Sequence, residues 1–293
     1  MGSVRWAFPC GAWRPRRRQW LLAAQLVQPE EKERIGHFVF ARDAKAALAG
    51  RLLMRKLIAE ELGIPWNEVH LQRTPKGKPF LASNLPGINS NYNFNVSHQG
   101  DYAVLAAEPE LQVGIDVMKT DLPGNSLCSS PFFLYSDTEV NTVVLVEQEN
   151  ILFRYCALKE SFLKAIGVGI GFNLQRIEFN VSPLQLEIGK VVSLHSMWCL
   201  YREKEKSYLK AFHDFLCNLK KTSVVKIAIK VKFKGQADWQ VVHSMEPNQL
   251  QFTLLTFEDL VASGIPVTPE DSAYWDNFCS KQEGPVRQSS HSR

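Results

Sequence analysis

Hydrophobic and polar residues change their period several times along this chain, and each change predicts an element. Gln28-Pro29-Glu30-Glu31-Lys32-Glu33-Arg34 reads as a helix start. Proline suits the first helical position, and the acids sit at the positive end of the helix dipole. From about Ala41 to Leu62 the residues are mostly Ala, Leu, Arg, Lys and Glu, which predicts a long helix stopped by Gly63. The period then drops to two. Val69 and Leu71 alternate with His70 and Gln72, Phe94 and Val96 alternate again, and residues 102–107 and 113–117 read as buried strands. Between them Pro75-Lys76-Gly77-Lys78-Pro79 predicts a turn. A helix followed by several strands makes an α+β half of about 115 residues.

The second half opens on a poorly patterned stretch, residues 121–150. Helical spacing returns from Leu152 to Ile166, with Tyr155, Leu158, Phe162 and Ile166 on one face and Glu160 and Lys164 on the opposite one. Arg176-Ile177-Glu178-Phe179 begins another strand. Val225, Ile227, Ile229, Val231 and Phe233 alternate with Lys226, Ala228, Lys230 and Lys232, the pattern of a strand with one apolar face. Residues 282–293 are polar enough for disorder.

At 293 residues, 45% apolar and 22% charged, the chain suits one large domain or two small ones and excludes a collagen-like or disordered class. Its 34 Lys+Arg against 30 Asp+Glu leave a net charge of +4. That excess suits an anionic small ligand or an acidic partner and does not by itself define a nucleic-acid binder. Arg14-Pro15-Arg16-Arg17-Arg18 lacks interleaved aromatic platforms and reads as a solvated turn before a buried element. No apolar run approaches the ~18–20 residues of a membrane span, and no signal-peptide segment is seen. The expectation is a soluble, cytosolic protein without nucleic-acid or membrane partners. The six cysteines show no CxxC and no Cys/His spacing suited to zinc, so they read as structural thiols.

Three constellations carry chemistry. Arg34, Arg73, Lys76 and Lys78, the last three around Gly77, form a cationic set. Glycine lets a backbone approach phosphate oxygens that Arg and Lys neutralise, although a basic hairpin tip is usually just solvated. Asn95-Val96-Ser97-His98-Gln99-Gly100 is a polar knot at a strand end, where His98 either serves a phosphate or a proton or is simply hydrogen-bonded. Asp116 closes an apolar strand, where an unpaired carboxylate is costly, and Glu160 stands on a helix. A strand-end Asp and a helix-borne Glu are hard oxygen ligands of the kind Mg²⁺ uses alongside substrate phosphates. Glu160 and Lys164 also read as a solvated i,i+4 pair.

Gly114-Ile115-Asp116 together with Ala157-Leu158-Lys159-Glu160-Ser161-Phe162-x-Lys164 resembles the bipartite signature of the 4′-phosphopantetheinyl transferases, in the broad-specificity, two-lobed class and nearest its animal members. Arg73-Thr74-x-Lys76-Gly77-Lys78-Pro79, Asn95-Val96-Ser97-His98 and Gly167-x-Gly169-x-Gly171-Phe172 extend the match, which spans residues 4–118, 152–188 and 251–278. The resemblance implies an α+β fold of two similar α/β lobes about a pseudo-twofold axis. Residues 1–115 would form an N-terminal lobe, 116–240 a C-terminal lobe with the signature helix, and 241–293 a C-terminal extension. It implies coenzyme A as donor and a serine hydroxyl of an apo acyl or peptidyl carrier protein as acceptor. Carrier domains of the fatty acid synthase and aminoadipate-semialdehyde dehydrogenase type are included, and a monomer is implied.

By position in the motifs, Arg34, Arg73, Thr74, Lys76, Gly77, Lys78, Asn95, Val96, Ser97 and His98 would contact coenzyme A, together with Glu160 and Lys164. Asp116 and Glu160 would hold Mg²⁺, Lys164 would steady the pyrophosphate, and Glu160 would accept the serine proton. Two departures from the family pattern leave a second reading open. Cys156 stands where an aromatic residue is usual, and residues 121–150 are shorter than the pattern. The second reading is a coenzyme A-binding paralogue of the same fold with impaired catalysis.

Overall fold

The computed structural model describes residues 2–75, 77–82, 92–109, 112–119, 149–167, 174, 177–180, 191–203, 206–218, 224–234, 238–240 and 252–285. In chain order the elements are β1 (Val4–Phe8), α1 (Arg17–Gln25), α2 (Pro29–Gly36), α3 (Ala41–Glu61), β2 (Leu71–Arg73), β3 (Pro79–Leu81), β4 (Asn93–Gln99), β5 (Tyr102–Glu108) and β6 (Gln112–Lys119). They continue with α4 (Glu149–Ile166), β7 (Ile177–Asn180), β8 (Val191–Glu203), β9 (Lys206–Asn218), β10 (Val224–Lys234), β11 (Asp238–Gln240), β12 (Thr253–Leu254), α5 (Phe257–Val261) and α6 (Ser272–Cys279). The fold is mixed α+β. The chain divides into two compact units: Met1–Ala7, His70–Gly100 and Val104–Leu254 in the first, and Phe8–Val69, Asp101–Ala103 and Leu255–Arg293 in the second.

The second unit is helical and centres on α3. Pro29 starts α2 with Glu30 and Glu31 in its first turn, and Gly63 takes a φ of +66° just past the end of α3, as a helix stop requires. From Ala44 to Ile58 every residue of α3 is buried, its charged residues included. Those charges are kept by partners. The Arg55 guanidinium donates to the carbonyls of Trp66 and Val69 and lies over the Trp66 ring, and burial lowers its pKa to about 10. Trp20 of α1 stacks on Phe278 at 3.9 Å and on Tyr274 at 6.0 Å between ring centroids. Arg14, Arg16, Arg17 and Arg18 remain exposed, and α1 begins inside that basic run.

No side chain caps α3, whose N-cap residue is Phe40. Its first N–H groups would be orphaned, but Ala41 donates to the carbonyl of Gln282 at 2.8 Å and Arg42 to that of Glu283 at 3.3 Å. The Lys45 ammonium completes the clasp on the Glu283 carboxylate at 2.7 Å. Gln282 and Glu283, read from their polarity as the start of a loose tail, thus cap the central helix. Residues 286–293 lie outside the described residues.

The first unit is built on two larger sheets and a hairpin. One sheet has the order β12-β1-β5-β4, with β1 and β12 parallel. In it Arg5 and Glu108 form a buried ion pair, and Ser3 adds a hydroxyl donor to the Glu108 carboxylate at 2.7 Å. The other sheet has the order β11-β10-β9-β8-β7, with β6 antiparallel to β10. Its register sets Ile229 opposite Gly114 and Ile227 opposite Asp116. Helix α4 packs on β6 and β10. Among the described residues no helix is long and apolar enough to cross a membrane.

Burial differs sharply among the thiols. Cys10 is buried and its pKa is pushed up to about 12 by desolvation, whereas Cys279 is exposed. Because the thiolate is the reactive form, iodoacetamide at pH 8 should alkylate Cys279 in the native protein and reach Cys10 only after denaturation. Peptide mapping that found Cys10 labelled as fast as Cys279 would contradict this packing.

Candidate active site

The site begins with a glycine. Val113, Gly114, Ile115, Asp116 and Val117 of β6 are all buried. A Cβ on Gly114 would lie 1.9 Å from the Ser161 carbonyl oxygen, 2.6 Å from the Ala165 nitrogen and 3.0 Å from the Ala165 Cβ. Helix α4 therefore rests directly on the strand backbone. Strand periodicity returns Asp116 to the same face two residues later. On the helix, Glu160 and Lys164 form the row beside Ser161 and Ala165, so seating the second pair on Gly114 brings the first to Asp116.

The contacts are close. Lys164 Nζ donates to Asp116 Oδ1 at 2.6 Å and to Ser97 Oγ at 2.9 Å, and Ser97 Oγ donates to Asp116 Oδ1 at 3.0 Å. The Asp116 side chain is 10% exposed and that of Lys164 30%. Glu160 is half-buried beside them. Desolvation first, and the Asp116 charge second, raise its pKa, while Lys164 opposes the shift. Residues 97, 116, 160 and 164, far apart in sequence, thus share one electrostatic environment.

Strand β4 supplies the serine through a regular row. Asn93 Oδ1 accepts from the Val113 N–H at 3.0 Å and Asn95 Oδ1 from that of Ile115 at 3.2 Å. Ser97, the next residue on that face, meets Asp116. Three side chains at two-residue spacing so lace β4 to β6, and the last enters the site. Asn95 and Ser97 are buried, Val96 is half-buried and His98 is exposed.

The basic turn is a hairpin of β2 and β3 that pairs Arg73 with Pro79. Gly77 sits at a φ of +84°, open to glycine and strained for other residues. Thr74 closes the turn: its N–H donates to the Lys78 carbonyl at 2.9 Å, and its Oγ1 accepts from the Lys78 N–H at 3.1 Å. Arg73 Nη1 donates to the Gly77 carbonyl at 3.1 Å. Burial lowers the pKa of the half-buried Lys78. Lys76 lies outside the described residues. Arg34 belongs to the second unit, where its Nε donates to Glu31 Oε2 at 2.9 Å.

Two readings of the helix change. Glu160 and Lys164 do not form a solvated face: Ala157, Leu158, Lys159, Ser161, Phe162, Leu163 and Ala165 are all buried around them, and the Lys164 ammonium is engaged across the sheet. Ser97 does more than line a polar knot, since it joins the Asp116–Lys164 pair. Sequence reasoning also passed over Lys159, which is wholly buried and donates to the Leu174 carbonyl at 3.2 Å. Its place next to Leu158 and one turn before Leu163 on the helix was the available signal. Cys156, one turn before Glu160, is itself buried.

With this geometry in place, comparison with known proteins defines the class. The family model of the 4′-phosphopantetheinyl transferase N-terminal domain matches residues 11–110. The L-aminoadipate-semialdehyde dehydrogenase-phosphopantetheinyl transferase of Homo sapiens is 51% identical over 296 residues, covering 98% of this chain and 94% of the relative. That of Xenopus laevis is 52% identical, covering 98% and 95%. A 4′-phosphopantetheinyl transferase of Nostoc is 31% identical over 165 residues, covering 55% of this chain and 68% of the relative. The chain belongs to the 4′-phosphopantetheinyl transferase family.

Gly114→Ala tests the seat of the site. Overpacking a tight contact costs about 1–3 kcal/mol, and here the obstacles include backbone atoms of a helix. The variant should lose at least that much stability in urea denaturation, together with transferase activity. Unchanged stability would show that α4 is not seated on β6 as described.

Proposed function

We propose that this protein is a transferase that moves the 4′-phosphopantetheine group of coenzyme A onto a serine hydroxyl of an apo acyl or peptidyl carrier protein. The observation that carries the reading is the convergence of Asp116, Glu160, Lys164 and Ser97 where α4 meets β6, in a chain of this family. The serine oxygen forms a bond to the β-phosphoryl phosphorus, and the bond from that phosphorus to the bridging oxygen breaks. The adenosine part leaves as its 3′,5′-bisphosphate, and the serine proton goes to a base. Glu160 suits that base, because burial first and the Asp116 charge second raise its proton affinity. Lys164, held by two hydrogen bonds, is a fixed positive charge for the pyrophosphate.

The donor set fits Mg²⁺. Asp116 and Glu160 are hard oxygen ligands whose mutual repulsion appears in the raised Glu160 pKa, a cost that a dication relieves. These two carboxylates would hold the ion, which when bound neutralises charge on the phosphate oxygens. Among the described residues no group of three or more His, Cys, Asp or Glu gathers. Arg34, Arg73, Thr74, Lys76, Gly77 and Lys78, with residues 95–98, would grip the coenzyme A phosphates. The reading includes two lobes about a pseudo-twofold axis, 1–115 and 116–240, with an extension over 241–293. It also includes a cytosolic monomer acting on carrier domains such as those of fatty acid synthase and aminoadipate-semialdehyde dehydrogenase.

The impaired-paralogue alternative is not favoured, because identity of 51–52% runs through 98% of the chain. The deciding assay combines the protein with coenzyme A, Mg²⁺ and an apo carrier protein, and follows the serine adduct by mass spectrometry. The protein should yield the adduct, and Glu160→Gln should lower kcat about 10²–10⁴-fold, the range for general acid–base catalysis. Arg73→Ala should weaken coenzyme A binding by about 1.5–3 kcal/mol, as for a charge-assisted hydrogen bond. No adduct, or calorimetric affinity unchanged by Arg73→Ala, would refute the transfer or the phosphate assignment respectively.

A further inference from the structure

A second charge network joins α2 and α3 within the helical unit. Glu31 and Arg34 stand three residues apart on α2, so their side chains share a face. Arg51 comes from α3, which packs on α2. Glu31 Oε2 accepts from Arg34 Nε at 2.9 Å and lies 3.2 Å from Arg51 Nε. The exposures are graded: 7% for the Arg51 side chain, 11% for Glu31 and 41% for Arg34. Arg51 and Glu31 are the inner pair, and the Arg34 guanidinium is the member that reaches the surface. The Arg34 guanidinium also lies over the Phe38 ring, 5.5 Å from its centroid.

Holding a long side chain costs rotamer entropy, which an i,i+3 ion pair on a helix offsets only in small part. Gripping by Nε leaves four of the five guanidinium N–H donors on Nη1 and Nη2, in a planar fork that matches phosphate oxygens. A buried carboxylate that engages both arginines through one oxygen fixes where that fork stands. We infer that Glu31 and Arg51 are positioning residues that present Arg34 as a preformed donor to an anionic group of coenzyme A. The inference rests on the transferase reading above and adds two residues that no motif singled out.

The test is a double-mutant cycle on the full-length protein, titrating coenzyme A by calorimetry. Glu31→Gln should weaken binding about two- to tenfold, the weight of leaving one rotamer-rich side chain to be ordered on binding. It should raise KM for coenzyme A with kcat unchanged. Arg34→Ala should weaken binding at least as much, and the double variant should bind no more weakly than Arg34→Ala alone. Penalties that add in the double variant, or full affinity in Glu31→Gln, would reduce Glu31 to a structural residue and overturn the inference. If Glu31→Gln does not fold, Glu31→Asp keeps the charge, shortens its reach and carries the same cycle. Wild-type protein that fails to bind coenzyme A would instead overturn the transferase reading. Binding that ignores Arg34→Ala would overturn the positioning role alone.

Discussion

The absence of a side chain at Gly114 is the constraint on which the site depends. Helices normally pack on sheets through side chains. Here the Ser161 carbonyl would stand 1.9 Å from any Cβ at position 114, so helix and strand meet at backbone distance. That contact fixes α4 against β6 along the row of Ser161 and Ala165, and with it the neighbouring row of Glu160 and Lys164. Asp116 lies one strand repeat beyond Gly114, about 6.6–6.8 Å away. A short strand step and a one-turn helix step are thereby set side by side, and three ionisable groups borne on β6 and α4 meet.

Bringing such groups together in poor solvation has a cost, and the arrangement distributes it. Asp116 is buried but accepts two hydrogen bonds, one of them charge-assisted. A buried carboxylate left without its partner is costly, so Lys164 is a structural requirement of Asp116. Glu160 carries the uncompensated part, visible as its raised pKa. A carboxylate in that condition favours a proton or a metal ion, and the proposed chemistry calls on it for both at different moments.

Much of the fold was legible because it rests on local rules. Pro29 and the acids after it start α2, Gly63 ends α3, and the two-residue alternation of 225–233 is β10. The parts that were not legible are long-range. Lys164 looked like the partner of Glu160 because helical spacing is readable from sequence, whereas its bond to Asp116 spans 48 positions (164 − 116). The charged residues of α3 gave no sign that the helix is buried, because the partners that permit it, such as the Trp66 and Val69 carbonyls and Glu283, come from elsewhere. Polarity marked residues 282 and 283 as loose, but it was backbone carbonyls, present in any residue, that capped α3.

Asp116 and Arg34 are held by the same physical device with the signs reversed. In one, a buried carboxylate is fixed by a lysine and a serine; in the other, an exposed guanidinium is fixed by a carboxylate that a second arginine holds. A binding group fixed before its ligand arrives loses less freedom on binding, so more of each contact survives as affinity or as transition-state stabilisation. Asp116 and Arg51 stay inside the protein, 10% and 7% exposed, where weak screening keeps their interactions strong. Lys164 and Arg34 remain partly exposed, at 30% and 41%. Exposure therefore separates the charges that reach solvent from the buried ones paired behind them, a distinction that residue type alone does not make.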